Sequence, residues 1–286
     1  MGALELIRRN ALFSDSVDWD AAHQQAQDAV THACGYAGTY HLLGTVVKQA
    51  GGDHSRFIPP AAFRQARART SAAGPALPAG GITGRVGYLV LPQLPGGQKL
   101  AYRYIVVGSR LVDEMAAARP QGWIVDLRDN SGGNMWPMLA ALAGLLEYGV
   151  LGHFALPGGR MQAWSLDCRH VRLDGKRAAH RHGRFRRTDV IPVAFLISAR
   201  TASAGEAVAV ALRSQPRVRA FGMPTAGFTT GNRTHVLRDG ARLVISECYY
   251  ADHRQRLITG PIIPDERVDS SDTGPLLATA RKWITW

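Results

Sequence analysis

Ser203 lies in Ala199-Arg200-Thr201-Ala202-Ser203-Ala204-Gly205-Glu206, a turn of small residues between an apolar run and a helical stretch. A hydroxyl nucleophile needs that setting. Small neighbours leave it accessible, and the unpaired amides and dipole of the following helix favour a developing oxyanion. The same residues also read as a helix N-cap, with Glu206 three positions on as in a capping box. A second turn, Arg128-Asp129-Asn130-Ser131-Gly132-Gly133-Asn134, carries paired glycines. Glycine permits positive φ and lets a backbone amide face a ligand. Alone, that stretch reads as a tight strand-to-helix turn.

Both turns need strands to hold them. Apolar runs at 86–91, 122–127 and 192–198 are expected as buried strands, with helices at 104–118, 136–147 and 204–213. Further strands are expected at 218–222 and 243–249. Strand, turn and helix in repetition predict an α/β core with parallel pairing, whose ligand site lies beyond the carboxyl ends of the strands. Residues 3–50 read as helical, with Asp18 placed to cap a helix that carries Trp19, Ala22, Ala26 and Ala29 on one face. Gly51-Gly52 and Pro59-Pro60 interrupt that pattern, and a short helix follows at 61–69. The Ala/Gly/Pro-rich stretch 71–81 reads as a linker, which divides the chain into a helical cap (1–70) and a core (82–286).

Four stretches in register resemble the S41 peptidase family, the C-terminal-processing and tricorn-type serine proteases. They are GWIVDLRDNSGGN (122–134), PVAFLISARTASAGEAVAVAL (192–212), FGMPTAGFTTGN (221–232) and GPIIPDERV (260–268), so the resemblance covers roughly residues 82–269. It implies a ClpP/crotonase-like core and Ser203 as nucleophile. It also implies an oxyanion hole from Ala204 and the Gly132-Gly133 turn, and substrate contacts at Thr225 and Gly227. The processing-protease branch takes a lysine base about 25 residues beyond the serine. The only lysines here are Lys48, Lys99, Lys176 and Lys282, so that dyad is excluded. The tricorn-like and retinoid-binding-protein-like branches place a histidine before the core, and Asp53-His54-Ser55 resembles their signature without its intervening residue. His54 is therefore the expected base, with His235 and His253 as rivals. An orienting acid is expected at Glu247 or Asp252, and Ser55 could also bond the imidazole. No stretch between cap and core is long enough for a PDZ domain.

The remaining composition narrows the classes. At 286 residues, 46% hydrophobic and 20% charged, the chain is expected to be globular, neither disordered nor fibrous. The three cysteines are scattered, and no His/Cys/Asp/Glu group has metal-ligand spacing, so neither a metal nor another cofactor is expected. No secretory-type leader and no apolar run of membrane-spanning length is present, so a cytoplasmic protein without membrane contact is expected. The net charge of +12 does not by itself indicate nucleic-acid binding. Residues 167–189, with eight Lys/Arg and three His, read as a solvated loop or as an anion-binding or substrate-covering flap. By alternation Asp126 and Arg128 point away from the side that Leu127 takes, and each reads as part of a structural ion pair at the strand end. The function expected is a serine hydrolase acting through an acyl-enzyme on a peptide or related acyl substrate. An acyl-transfer or cyclising enzyme of small-molecule metabolism and a non-catalytic ligand carrier on the same fold are the alternatives.

Overall fold

The computed structural model describes residues 2–32, 35–73, 76–183, 191–269 and 272–286. The chain opens with helices α1 (Ala3–Asn10), α2 (Trp19–His32) and α3 (Tyr40–Gly51), then strand β1 (Arg56–Ile58) and helix α4 (Pro60–Ala73). Asp18 Oδ1 accepts from the Ala21 N–H at 3.0 Å, satisfying one of the free donors at the start of α2. Proline is tolerated in the first helical turn, where its missing N–H costs nothing. Hence α4 begins at Pro60, one residue before the expected start.

Next come β2 (Ala79–Thr83), β3 (Val86–Val90), α5 (Gln98–Ala117), β4 (Gly122–Asp126) and α6 (Met135–Leu142). Strands β5 (Gly149–Ala155), β6 (Met161–Asp167), β7 (His170–Leu173) and β8 (Lys176–His180) follow, then β9 (Val193–Ile197), α7 (Ala204–Arg213) and β10 (Val218–Gly222). The chain closes with β11 (Thr230–Val236), β12 (Arg242–Ala251), β13 (Leu257–Ile258), β14 (Glu266–Arg267) and α8 (Thr273–Ile284).

Two compact units result: Met1–Gly74 with Leu156–Arg160 and Thr230–Tyr249, and Pro75–Ala155 with Met161–Thr229 and Tyr250–Trp286. The first is thus more than a helical N-terminal segment. β1 and β11 pair antiparallel with β12, Val244 lying opposite both Arg56 and Thr234. Leu243 and Ile245 of β12 are fully buried in one cluster with Leu4, Ile7, Val46 and Val47. The stretch read as a linker also differs. Its end is β2, paired antiparallel with β3 from Ala79↔Val90 to Thr83↔Val86.

The second unit holds the α/β core. Its sheet runs β14-β10-β9-β4-β3-β2, with β3, β4, β9, β10 and β14 parallel. All five residues of β4 and of β9 are buried, as expected of parallel strands covered on both faces. Between α6 and β9 the chain inserts β5 to β8, an antiparallel meander. It is anchored by Phe154, Trp164 and Tyr250, with ring centroids 4.9 Å apart for Phe154–Trp164 and 5.4 Å for Trp164–Tyr250. The basic stretch expected as a loop from 167 is therefore strand to residue 180, and residues 184–189 of it lie outside the described residues. Among the described residues no helix is long and apolar enough to cross a membrane.

Candidate active site

The turn after β9 and the turn after β4 are tied together by Asn130, which is fully buried. Its side-chain amide donates to Leu91 O at 3.0 Å, its Oδ1 accepts from Gly132 N, and its carbonyl accepts from Ala202 N, each at 3.0 Å. Thr201 Oγ1 donates to Leu127 O at 2.8 Å, and Ser198 Oγ donates to Arg128 O at 2.7 Å. Within that frame Ser203 is half-buried and sits at φ 54°, ψ −117°, a backbone region costly for a non-glycine residue. Strain of about 1–3 kcal/mol persists only where the surroundings impose it. The contacts of Asn130 and Glu206 impose it here.

Gly132 presses directly against the serine. A Cβ at Gly132 would stand 2.8 Å from Ser203 Cβ and 3.1 Å from Ala204 N, and its φ is +110°. Gly132→Ala should therefore cost about 1–3 kcal/mol of stability and lower turnover at least about tenfold. A melting curve and a rate on an activated ester check both. The Gly132 amide itself is committed to Asn130. The expected oxyanion hole thus loses one of its three donors. Among the described residues the N–H groups of Gly133 and of Ala204, the first residue of α7, meet no acceptor.

Glu206, read from sequence only as a capping residue, is fully buried and organises the second half of the site. Its Oε2 accepts from Ser203 N at 2.8 Å, and its Oε1 accepts from Thr225 Oγ1 at 2.5 Å and Gly227 N at 2.8 Å. Thr225 is buried and its hydroxyl also accepts from Ile262 N at 2.8 Å. Thr225 and Gly227, expected from sequence as substrate contacts, both donate to Glu206 and so support the serine turn. Burial raises the Glu206 pKa above the usual carboxylate value, against the lowering effect of these bonds. Glu206→Gln must turn an NH2 toward Ser203 N–H or toward the Thr225 and Gly227 donors. A donor left unmet should cost about 1–3 kcal/mol, read as a lower melting temperature, together with reduced turnover.

In the first unit, His54 follows α3 on a short loop fixed by Ser55. The buried Ser55 Oγ donates to Gly51 O at 2.8 Å and accepts from Ser246 N at 2.9 Å. Ser55 holds the loop, and the partner of His54 Nδ1 is Thr230 Oγ1 at 2.7 Å. Thr230 Oγ1 lies 3.3 Å from Ser246 Oγ, which donates to Asn232 Oδ1 at 2.8 Å, while Asn232 Nδ2 donates to His54 O at 3.1 Å. The direction of this chain follows from its end. An amide oxygen only accepts, so Ser246 donates to Asn232, Thr230 to Ser246, and His54 Nδ1–H to Thr230. That tautomer leaves the lone pair on Nε2, as a general base requires. Burial, with Arg56 adding to it, lowers the His54 pKa to about 4.

Neither expected acid orients His54 Nδ1. Glu247 Oε1 bonds His235 Nε2 at 2.7 Å, and Asp252 accepts from Arg256 Nε at 2.7 Å and from the Arg254 and Arg256 amides. The ion pair expected at the end of β4 joins Asp126 and Arg128 to each other. The strand stops at Asp126, and Arg128 folds back to pair with it at 2.7 Å, with Tyr88 OH donating to the same carboxylate at 2.5 Å.

A parallel sheet whose strand ends bring a strained serine, a close-packed glycine turn and two unpaired amides together defines a serine-hydrolase type of site. Residues 85–268 match the model of peptidase family S41, and the chain belongs to that family, as a serine peptidase-like hydrolase. Over 283 residues it is 28% identical to the nisin-resistance protein of Lactococcus lactis subsp. lactis, covering 99% of this chain and 85% of that protein. Its fold is similar to that of a lipoprotein from Streptococcus agalactiae, with TM-score 0.80, 22% identity, and coverage of 99% and 93% of the two chains. The photosystem II D1 C-terminal processing protease has the same fold at TM-score 0.64 and 14% identity, with coverage of 99% and 96%.

Proposed function

We propose that this chain hydrolyses peptide bonds through an acyl-enzyme on Ser203, with His54 as general base and the N–H groups of Ala204 and Gly133 receiving the oxyanion. The observation that carries this reading is the strained Ser203, held against Gly132 with the two unpaired amides on the same turns. In the acylation step Ser203 Oγ bonds the scissile carbonyl carbon as its proton passes to His54 Nε2, which then delivers it to the leaving amine. Water, deprotonated by the same nitrogen, then releases the acid and restores the hydroxyl. A relative named for nisin resistance supports a peptide as substrate.

The test combines a fluorophosphonate probe with product analysis. The probe should add to Ser203, located by peptide mass spectrometry. Incubation with nisin and with unrelated peptides in H2(18)O should give cleaved products carrying the heavy oxygen in the new carboxylate. Acyl transfer would give products without that oxygen. Labelling elsewhere than Ser203, or none, would remove the basis of the assignment.

A further inference from the structure

The hairpin formed by β7 and β8 places like charges opposite one another, Arg172 facing Arg177. His170 and His180 are direct cross-strand partners, with ring centroids 6.4 Å apart. One position further, Arg181 N donates to Arg169 O at 2.7 Å, so two arginines follow the two histidines along the ladder. Like charges facing each other across a ladder destabilise it, and an antiparallel edge has no need of them. Beside them is an open cleft of about 450 Å³ lined by Arg169, His180, Arg181, His182 and Gly183. Every side chain on that lining is cationic or can become so.

The two arginines are not equivalent. Arg181 is fully buried, with one guanidinium nitrogen donating to Ser109 O at 3.2 Å and pairing with Asp113, and the other donating to His182 O at 3.2 Å. Its charge is matched and its orientation fixed. Arg169 is exposed, donates to Gly183 O at 3.3 Å and has no carboxylate partner among the described residues. A positioned guanidinium with donors to spare, flanked by imidazoles, suits an oxyanion.

We propose that this cleft binds a phosphate-bearing anion. The volume exceeds that of a single phosphate and falls in the range of small-ligand sites. The ligand is therefore a chain of phosphates or a phosphoryl group carried on a larger body. Burial first, and then the positive field of Arg177, His170, Arg169 and His182, lowers the His180 pKa. A bound anion reverses that field and raises the His180 pKa.

Pyrophosphate and vesicles containing phosphatidylglycerol are the two probes, used on the full chain at low salt. Calorimetry should show saturable binding of at least one, and NMR titration in the presence of pyrophosphate should place the His180 pKa higher than without it. Arg169→Glu should weaken binding at least about tenfold. It should leave peptide turnover unchanged and melt no lower than the parent, since it removes a like-charge pair. Arg169→Gln gives the same reading if the glutamate variant is poorly made. Binding of pyrophosphate identifies a soluble phosphorylated ligand, and binding of vesicles alone identifies a lipid headgroup. Failure of both probes, or binding unchanged in both variants, overturns the proposal.

Discussion

Ser203→Ala is expected to lower turnover on an activated ester by about 10⁴-fold or more, the scale seen when a serine nucleophile is removed. Covalent labelling should vanish with it. The fold should survive, because the Ala202 N–H bond to Asn130 and the Ser203 N–H bond to Glu206 stay in place, and the substitution removes only the capping bond that the hydroxyl accepts from the Glu206 N–H. The melting temperature should change by no more than a lost cap would cost, about 0.5–2 kcal/mol. Retained labelling together with an unchanged melting curve would sink the nucleophile assignment.

His54→Ala should cost several orders of magnitude as well, and the parent's pH profile should show why. A base whose pKa lies at about 4 is already neutral well below pH 6. Turnover should therefore rise through about pH 4 and stay level across neutrality, without the limb near 6.5 of an unperturbed histidine. The same shift has a sign for stability. The unfolded chain takes up the histidine proton near pH 6.5 and the folded chain only near 4, so stability falls as pH drops through that interval. A rate limb at 6–7 that disappears in His54→Ala would refute the low pKa while keeping the base. Near-normal turnover in His54→Ala would move the role to His235 or His253.

The core strands were legible because burial on both faces turns a parallel strand into an uninterrupted apolar run, as in Trp123-Ile124-Val125 and Val193-Ala194-Phe195-Leu196-Ile197. The two site turns were legible because small residues cluster where backbones must approach. The β7–β8 hairpin escaped notice because Arg, His and Lys occupy positions where strand signals are normally sought. The partner of His54 escaped for another reason. Thr230 meets it through the pairing of β11 with β12, across 176 residues of sequence, and no local spacing rule reaches that far. An acid was expected at Glu247 because a carboxylate on a buried strand needs a partner, and it has one, in His235. The capping role of Glu206 was legible and holds, but its second role was not, because its other oxygen serves the distant Thr225 turn.

The core shared by the early helices with Leu243 and Ile245 sets a timetable for synthesis. A ribosome adding about 5–20 residues per second delivers β12 roughly 10–40 s after α3 has left it. Throughout that interval Leu4, Ile7, Val46 and Val47 lack the strand residues that complete their cluster. The nascent chain carries a waiting apolar surface, the kind of stretch that chaperones hold. Ribosomes stalled anywhere between α4 and β12 would release chains whose first-made helices have no strand to close over them.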